Sequence, residues 1–159
     1  MSAPTPTSTT APAGLATGHI GLNVVDLDRS LAFYRRVLGF DVASEGNDGD
    51  QRWAFLALDG QVVLTLWQQA GGGFQPAAAG LHHLSYAVDS VEAVREVEAR
   101  LHDLGAGFAY DGVVPHAESA DSGGIYFHDP DGVRLEIFAR TGAGGAPAPH
   151  GSAPTCGFF

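Results

Sequence analysis

A pattern of one strand, one helix and three strands occurs twice in this chain of 159 residues, which limits the fold to a duplicated module. Each copy opens with a histidine and a short alternating strand, at His19 in the first copy and His83 in the second. Helices are predicted over residues 28–38 and 90–104, each with a capping side chain at its start and a glycine after its end. The predicted later strands are 40–44, 52–58, 61–67, 108–114, 124–128 and 133–139. Two βαβββ modules predict an α+β protein built on one curled mixed β-sheet.

Composition separates this duplicated part from two tails. Residues 1–17 are rich in Pro, Thr, Ser and Ala and lack the charged and apolar regions of a signal peptide, so we expect a disordered arm. The folded domain is expected over residues 18–140, with modules at about 18–68 and 81–140. Residues 141–159 are expected to form a flexible Gly-, Ala- and Pro-rich tail that becomes apolar at Phe158 and Phe159.

Charge and cysteine content exclude several function classes. The formal net charge of −10 argues against nucleic acid and against anionic membrane surfaces as partners. The basic residues are all arginine, so lysine Schiff-base chemistry and a Walker-type phosphate lysine are excluded. The single cysteine excludes an intrachain disulfide framework and favours a reducing cytoplasm, and no apolar run is long enough to span a membrane.

The last strand places a carboxylate in an apolar setting. After the Asp-Pro-Asp-Gly turn at 129–132, alternation puts Leu135 and Ile137 on one face and Glu136 on the other. By the same alternation, His19 and His83 project from the face that no helix covers. A buried carboxylate needs a cation or hydrogen bonds to compensate its charge.

Two explanations of these three residues remain open. His19, His83 and Glu136 form the set of two histidines and one carboxylate that holds iron and also suits Mn, Ni, Co or Zn, so they are candidate ligands of a divalent metal. Alternatively, Glu136 pairs with Arg134 or Arg140, and the two histidines are unrelated residues near strand starts.

Further candidates surround these positions. His116, in a long loop, and Tyr126 are candidate catalytic acid–base groups, with a solvated histidine and a core tyrosine as the alternatives. Cys156 lacks an identified base and is expected to be inert. Strand parity and charge give a candidate substrate wall consisting of Trp53, Phe55, Trp67, Arg134 and Phe138.

Three segments carry a family resemblance. They are residues 18–24 with 28–34, residues 83–88, and residues 127–136, which includes the sequence Phe-His-Asp-Pro-Asp-Gly. In these segments the chain resembles the vicinal-oxygen-chelate superfamily, which includes glyoxalase I, extradiol dioxygenases, fosfomycin-resistance enzymes and bleomycin-binding proteins. The resemblance implies paired βαβββ modules and a metal held by His19, His83 and Glu136, with ligands from one chain or two.

The chain also departs from several family patterns. Glyoxalase I enzymes usually supply a fourth, acidic ligand from the strand that here carries Val63 and Thr65, which lowers the glutathione-dependent isomerase. Gly21 stands where fosfomycin enzymes usually have a hydroxyl, and the chain has no lysine for a phosphonate.

We therefore expect a metal-dependent lyase, isomerase or dioxygenase that acts on a small substrate with two adjacent oxygens, and that forms a homodimer. The alternative is a metal-free protein that sequesters a drug or metabolite, like the bleomycin-resistance proteins.

Overall fold

A computed structural model describes residues 10–157 and 159. The first nine residues of the expected arm and Phe158 lie outside the described residues; residues 10–17 are exposed and contain no helix or strand. The elements in chain order are β1 (Ile20–Val24), α1 (Leu27–Leu38), β2 (Asp41–Asp48), β3 (Gln51–Leu58), β4 (Gln61–Gln68), β5 (Leu84–Val88), α2 (Val91–Asp103), β6 (Val114–Pro115), β7 (Gly123–His128), β8 (Arg134–Ala139) and a final 3₁₀ turn, Thr155–Gly157.

The strands form two four-stranded sheets of the same design. The first sheet has the order β1-β4-β3-β2 and the second has the order β5-β8-β7-β6. In each sheet the opening strand runs parallel to the last strand of its module, and the remaining pairs are antiparallel. The α+β fold of two βαβββ modules is therefore confirmed, with the mixed sheet divided into two halves.

Both predicted helices are present and begin at side-chain caps. Asp26 accepts a hydrogen bond from Arg29 N at the start of α1, and Ser90 accepts one from Ala93 N at the start of α2. Gly39 ends α1 at a φ of 72°, in the left-handed region that glycine adopts without a steric penalty. Each helix buries one face on its sheet, and these faces meet in a single apolar core.

One predicted strand is largely absent. Residues 108–114 were expected to form a full strand, but only a bridge between Phe108 and Phe127 and the two-residue β6 are found. Gly112 turns the chain within this stretch at a φ of 66°. An extended strand does not tolerate a positive φ of this size. The expectation of a full strand was wrong here, because the chain turns at Gly112 before it reaches the loop that carries His116.

The turn before β8 also joins the two modules. Asp129 accepts a hydrogen bond from Tyr34 Oη at 2.8 Å, and Asp131 accepts one from Val25 N at 3.0 Å and pairs with Arg29. Both carboxylates are buried. Burial raises the pKa of Asp129, against the opposing effect of the Tyr34 hydroxyl. These aspartates therefore hold the first helix against the second module, a role that turn chemistry alone did not indicate.

No helix among the described residues is long and apolar enough to cross a membrane.

Candidate functional site

The site is organised around Glu136, a carboxylate in the middle of β8. Its neighbours Leu135 and Ile137 point into the core, and Glu136 points to the opposite face of the sheet. Although Glu136 lies on the face without a helix, it is only 3% exposed. A carboxylate buried to this extent needs partners for both of its oxygens.

Three side chains supply those partners. His116 Nε2 lies 2.7 Å from Glu136 Oε1, and the Tyr126 hydroxyl donates to the same oxygen at 2.9 Å. His83 Nε2 lies 3.5 Å from the other oxygen, Oε2. Two imidazoles and a phenol therefore converge on one carboxylate.

The local fold explains this convergence. Tyr126 is directly opposite Glu136 in the β7–β8 ladder, and Ser85 is directly opposite it in the β5–β8 ladder. His83 stands just before β5, one alternation step from Ser85. His116 follows β6, and its other ring nitrogen, Nδ1, lies 2.9 Å from Ser122 Oγ, which fixes the direction of the ring.

The electrostatics keep Glu136 ionised. Burial alone would raise its pKa, but hydrogen bonds from His116, Ser85 and Tyr126 favour the charged form and leave the pKa below its usual value. Since an ionised carboxylate can only accept, His116 Nε2 and the Tyr126 hydroxyl are the donors. Burial, followed by the Glu136 charge, raises the pKa of Tyr126 far above its usual range, so this phenol keeps its proton.

His83 remains a neutral imidazole. Burial lowers its pKa, although the charge of Glu136 opposes the shift. The ring of His82 lies beside that of His83, with its Nδ1 2.8 Å from Nδ1 of His83. A neutral imidazole beside an ionised carboxylate is the form in which both groups bind a metal.

His19 does not join the other two predicted ligands within one chain. It is exposed just before β1, which belongs to the other sheet. Among residues 10–157 and 159, no three His, Cys, Asp or Glu side chains are arranged to hold a metal ion. Glu136 and His83 have the right chemistry for a divalent metal, but the described part of a single chain does not complete the set. The His19 assignment stays a prediction.

The predicted aromatic wall is divided between the sheets. Trp53, Phe55 and Trp67 form one cluster on the first sheet, with ring centroids 5.1, 6.4 and 6.0 Å apart, and Trp67 is 39% exposed. A cavity of about 260 Å³ lies beside Trp53 and Trp67. Phe138 lies on the second sheet, with its ring centroid 5.1 Å from that of His116. The predicted wall is therefore drawn from both sheets, with the indole cluster on the first and Phe138 on the second.

Residues near the chain's last turn were not expected at this site. The Phe159 ring lies against Tyr126 and His83, with centroids 4.8 and 5.7 Å apart, and the guanidinium of Arg134 lies 5.6 Å from the Phe159 centroid. Among the described residues, no ion pair links Arg134 to Glu136, so Arg134 does not serve as its counter-charge. Burial, with a smaller effect from Glu136, raises the pKa of Cys156, which makes this thiol a poor nucleophile at neutral pH.

Comparisons with known proteins agree with this architecture. A protein-family model described as the Glyoxalase/Bleomycin resistance protein/Dioxygenase superfamily matches residues 16–137. The chain is 32% identical over 127 residues to the uncharacterized protein YaeR of Escherichia coli, covering 77% of this chain and 94% of that one. It is 29% identical over 125 residues to the catechol-2,3-dioxygenase of Bacillus subtilis, covering 77% of this chain but 40% of the dioxygenase.

Solved structures show the same fold. A glyoxylase/bleomycin resistance protein/dioxygenase domain from Frankia superposes with a TM-score of 0.67 at 30% identity, covering 81% of this chain and 98% of that one. The fosfomycin resistance protein FosX of Listeria monocytogenes, complexed with Mn(II) and sulfate, superposes with a TM-score of 0.59 at 24% identity, covering 81% of this chain and 93% of that one. The second match supports the fold alone. The family model matches most of the chain, and YaeR and the Frankia domain are 32% and 30% identical to it over most of their own length. This chain therefore belongs to the Glyoxalase/Bleomycin resistance protein/Dioxygenase superfamily.

Proposed function

We propose that the protein is a metal-dependent enzyme, a glyoxalase-like lyase or isomerase or a dioxygenase, whose site binds a small molecule with two adjacent oxygens. The observation that carries the proposal is the state of Glu136. It is an ionised carboxylate, 3% exposed, beside a neutral imidazole, His83. That pair is a metal-ligand pair in both charge and donor type.

Glu136 and His83 of one chain and His19 of a second copy would hold the metal. Since His19 is exposed just before the first sheet and does not join Glu136 and His83 in a metal-holding group among the described residues, a partner chain is the natural source of the third ligand. When bound, a divalent ion of this kind acts as a Lewis acid toward substrate oxygens, and an iron ion also supports oxygen chemistry. We infer a homodimer in which each site uses both chains.

The chain's own residues orient the ligands and move protons. Ser122 fixes the His116 ring, so its Nε2 faces the carboxylate and can hold a proton beside a bound substrate. Tyr126 keeps its proton because its pKa is raised by burial and by Glu136, so it acts as a neutral hydrogen-bond donor. The Trp53, Phe55 and Trp67 cluster lies on the first sheet with β1, so the copy that supplies His19 would also supply this apolar surface for the remainder of the substrate.

Mixing two inactive variants tests the shared site. His19→Ala and Glu136→Ala chains should each lose bound metal, by at least about a hundredfold in affinity. When the two are unfolded together and refolded, mixed dimers regain one intact site, so about a quarter of all sites should bind metal again. Metal content is measured by elemental analysis after reconstitution with Fe(II) or Mn(II).

Glu45→Ala, at an exposed position of β2, is the matched control and should bind metal like the wild type. Wild-type metal binding without recovery in the mixture would place all ligands in one chain. Absence of metal from the wild type would reject the enzyme proposal. Oxygen uptake with catechols then tests the dioxygenase branch, and turnover of methylglyoxal with a thiol tests the isomerase branch.

The second candidate is a metal-free binding protein that sequesters a drug or metabolite. It is favoured by the hydrogen bonds that already satisfy Glu136 and by the part-exposed Trp67 in an aromatic cluster. Tight binding of an aromatic drug by metal-free protein, together with no metal uptake on reconstitution, would support this candidate.

A further inference from the structure

The last described residues of the chain lie across the Glu136 cluster. The Phe159 ring contacts Tyr126 and His83, two of the side chains that face the Glu136 carboxylate. The chain therefore covers its own candidate site with an apolar ring.

The segment that carries this ring is anchored at the His116 loop. Thr155 is completely buried, its hydroxyl donates to the Pro115 carbonyl at 2.6 Å, and its N–H donates to the His116 carbonyl at 2.9 Å. The Tyr110 hydroxyl donates to the Thr155 carbonyl at 3.2 Å. Because Thr155 is held beside His116, Phe159, four residues further along the chain, lies within reach of the site.

Beyond the anchor, the described contacts of Phe159 are made by ring faces and edges. The ring planes of Phe159 and Tyr126 cross at 66°, and Arg134 lies 5.6 Å from the Phe159 centroid. His82 Nε2 lies 3.0 Å from the Gly157 carbonyl oxygen. Edge-to-face and cation–π contacts select a flat aromatic ring, and each is weak enough to be replaced by an equivalent ring.

The position differs from ordinary core packing. The core lies on the helix-covered faces of the two sheets, whereas Phe159 lies on the opposite face of the second sheet and remains partly exposed. The surfaces it covers belong to side chains whose polar atoms face Glu136. An apolar side chain with a purely structural role would be stabilised more by burial in the core than by this partly exposed position.

The geometry points to Phe159 as a displaceable plug, and we propose that its seat, formed by Tyr126, His83 and Arg134, is the subsite for a flat aromatic ring of the small molecule that the site binds. The inference names the substrate class for the site of the proposed function and rests on that function for the site's identity. Binding of such a molecule and seating of Phe159 exclude each other.

The test measures binding of 2-naphthol, a flat aromatic without chelating oxygens, to the full chain in EDTA. If the seat is free for about a tenth of the time, Phe159→Ala should tighten the apparent dissociation constant about tenfold. Phe159→Leu, which keeps apolar bulk but has no ring, should tighten it less. Ser152→Ala, at an exposed position before the anchor, is the control and should bind like the wild type.

Nuclear Overhauser contacts between the ring protons of Phe159 and Tyr126 give a second readout. They should be present in the free wild type and disappear at saturating 2-naphthol. Unchanged or weaker binding by both Phe159 variants, or contacts that persist at saturation, would show that Phe159 is a fixed cap and overturn the proposal. Because no metal is present, failure of the metal proposal leaves this result unaffected, and a negative result here leaves metal binding untouched.

Discussion

The two modules carry different residue pairs at the same place in the same frame. In the first sheet Gly21 faces Thr65 across the parallel strands β1 and β4, and in the second Ser85 faces Glu136 across β5 and β8. The Thr65 hydroxyl accepts a hydrogen bond from Trp67 Nε1 at 3.1 Å. The first sheet therefore has an uncharged hydroxyl, bonded to an indole, at the position where the second sheet has a carboxylate. The difference teaches that duplication preserved the strand register while the ionisable chemistry went to the second module.

The strongest test of this comparison uses glycines. A methyl group on Gly124 in β7 would lie 2.0 Å from the Ile137 carbonyl oxygen, which is rigid backbone. We expect Gly124→Ala to destabilise the protein by about 3 kcal/mol or more, measured by urea unfolding.

Gly21→Ala is the matched change in the first sheet. There the new methyl group would lie 3.3 Å from Thr65 Oγ1, a side-chain atom that can shift. The cost should stay within about 1 kcal/mol. Equal losses from the two changes would contradict the difference in contact between these two positions, rigid backbone at Gly124 and a movable side chain at Gly21.

A smaller difference is expected at the two Asp-Gly hairpins. Asp131→Asn weakens the contacts to Arg29 and to Val25 N, and should cost about 1–2 kcal/mol in the free energy of unfolding, since Arg29 is half exposed. Asp59→Asn changes an exposed residue at a φ of 50°, which asparagine also adopts, so its cost should be within about 0.5 kcal/mol. If Asp59→Asn destabilised the protein as much as Asp131→Asn, the role of Asp131 in holding the first helix against the second module would be rejected.

The pH dependence of stability should isolate the contribution of the Glu136 carboxylate, which has no ionisable counterpart at Thr65 in the first sheet. The folded-state pKa of Glu136 lies below the ordinary value of 4.5, so its contribution is complete above that pH and is lost as the pH falls through the folded-state pKa. Metal-free Glu136→Gln should therefore lose less stability than the wild type between about pH 5 and about pH 3 in urea unfolding. Equal slopes would mean that the carboxylate is not held in its charged form.

Much of the fold could be predicted from patterns that are local in the sequence. Apolar alternation, Asp26 and Ser90 as helix caps, and Gly39 at a helix end are decided by neighbours a few residues apart. The stretch 108–114 was predicted wrongly because Val113 and Val114 suit a strand, whereas the left-handed Gly112 beside them breaks it. Alternation does not report such a break.

The site was predictable where parity decides and not where loops decide. Strand alternation placed Glu136 and His83 on their observed faces, whereas it left Tyr126 as a possible core residue, and the structure instead shows its hydroxyl donating to Glu136. His116 was predicted only as an acid–base group in a loop, and its contact with Glu136 was not predicted. The approach of Phe159 depends on a tail whose path no periodicity describes. The buried Asp129 and Asp131 could have been suspected, because two acids in a turn beside an apolar strand need partners elsewhere.

The Asp-Pro-Asp-Gly turn has a mechanical consequence. Its aspartates hold α1 and the end of β1, and the same turn leads directly into β8, which carries Glu136 two residues after Arg134 begins the strand. Any rotation of the first module against the second must therefore pull on the strand that aims the carboxylate. A partner that shifts the first module on docking would therefore change the direction of the Glu136 side chain without docking next to it.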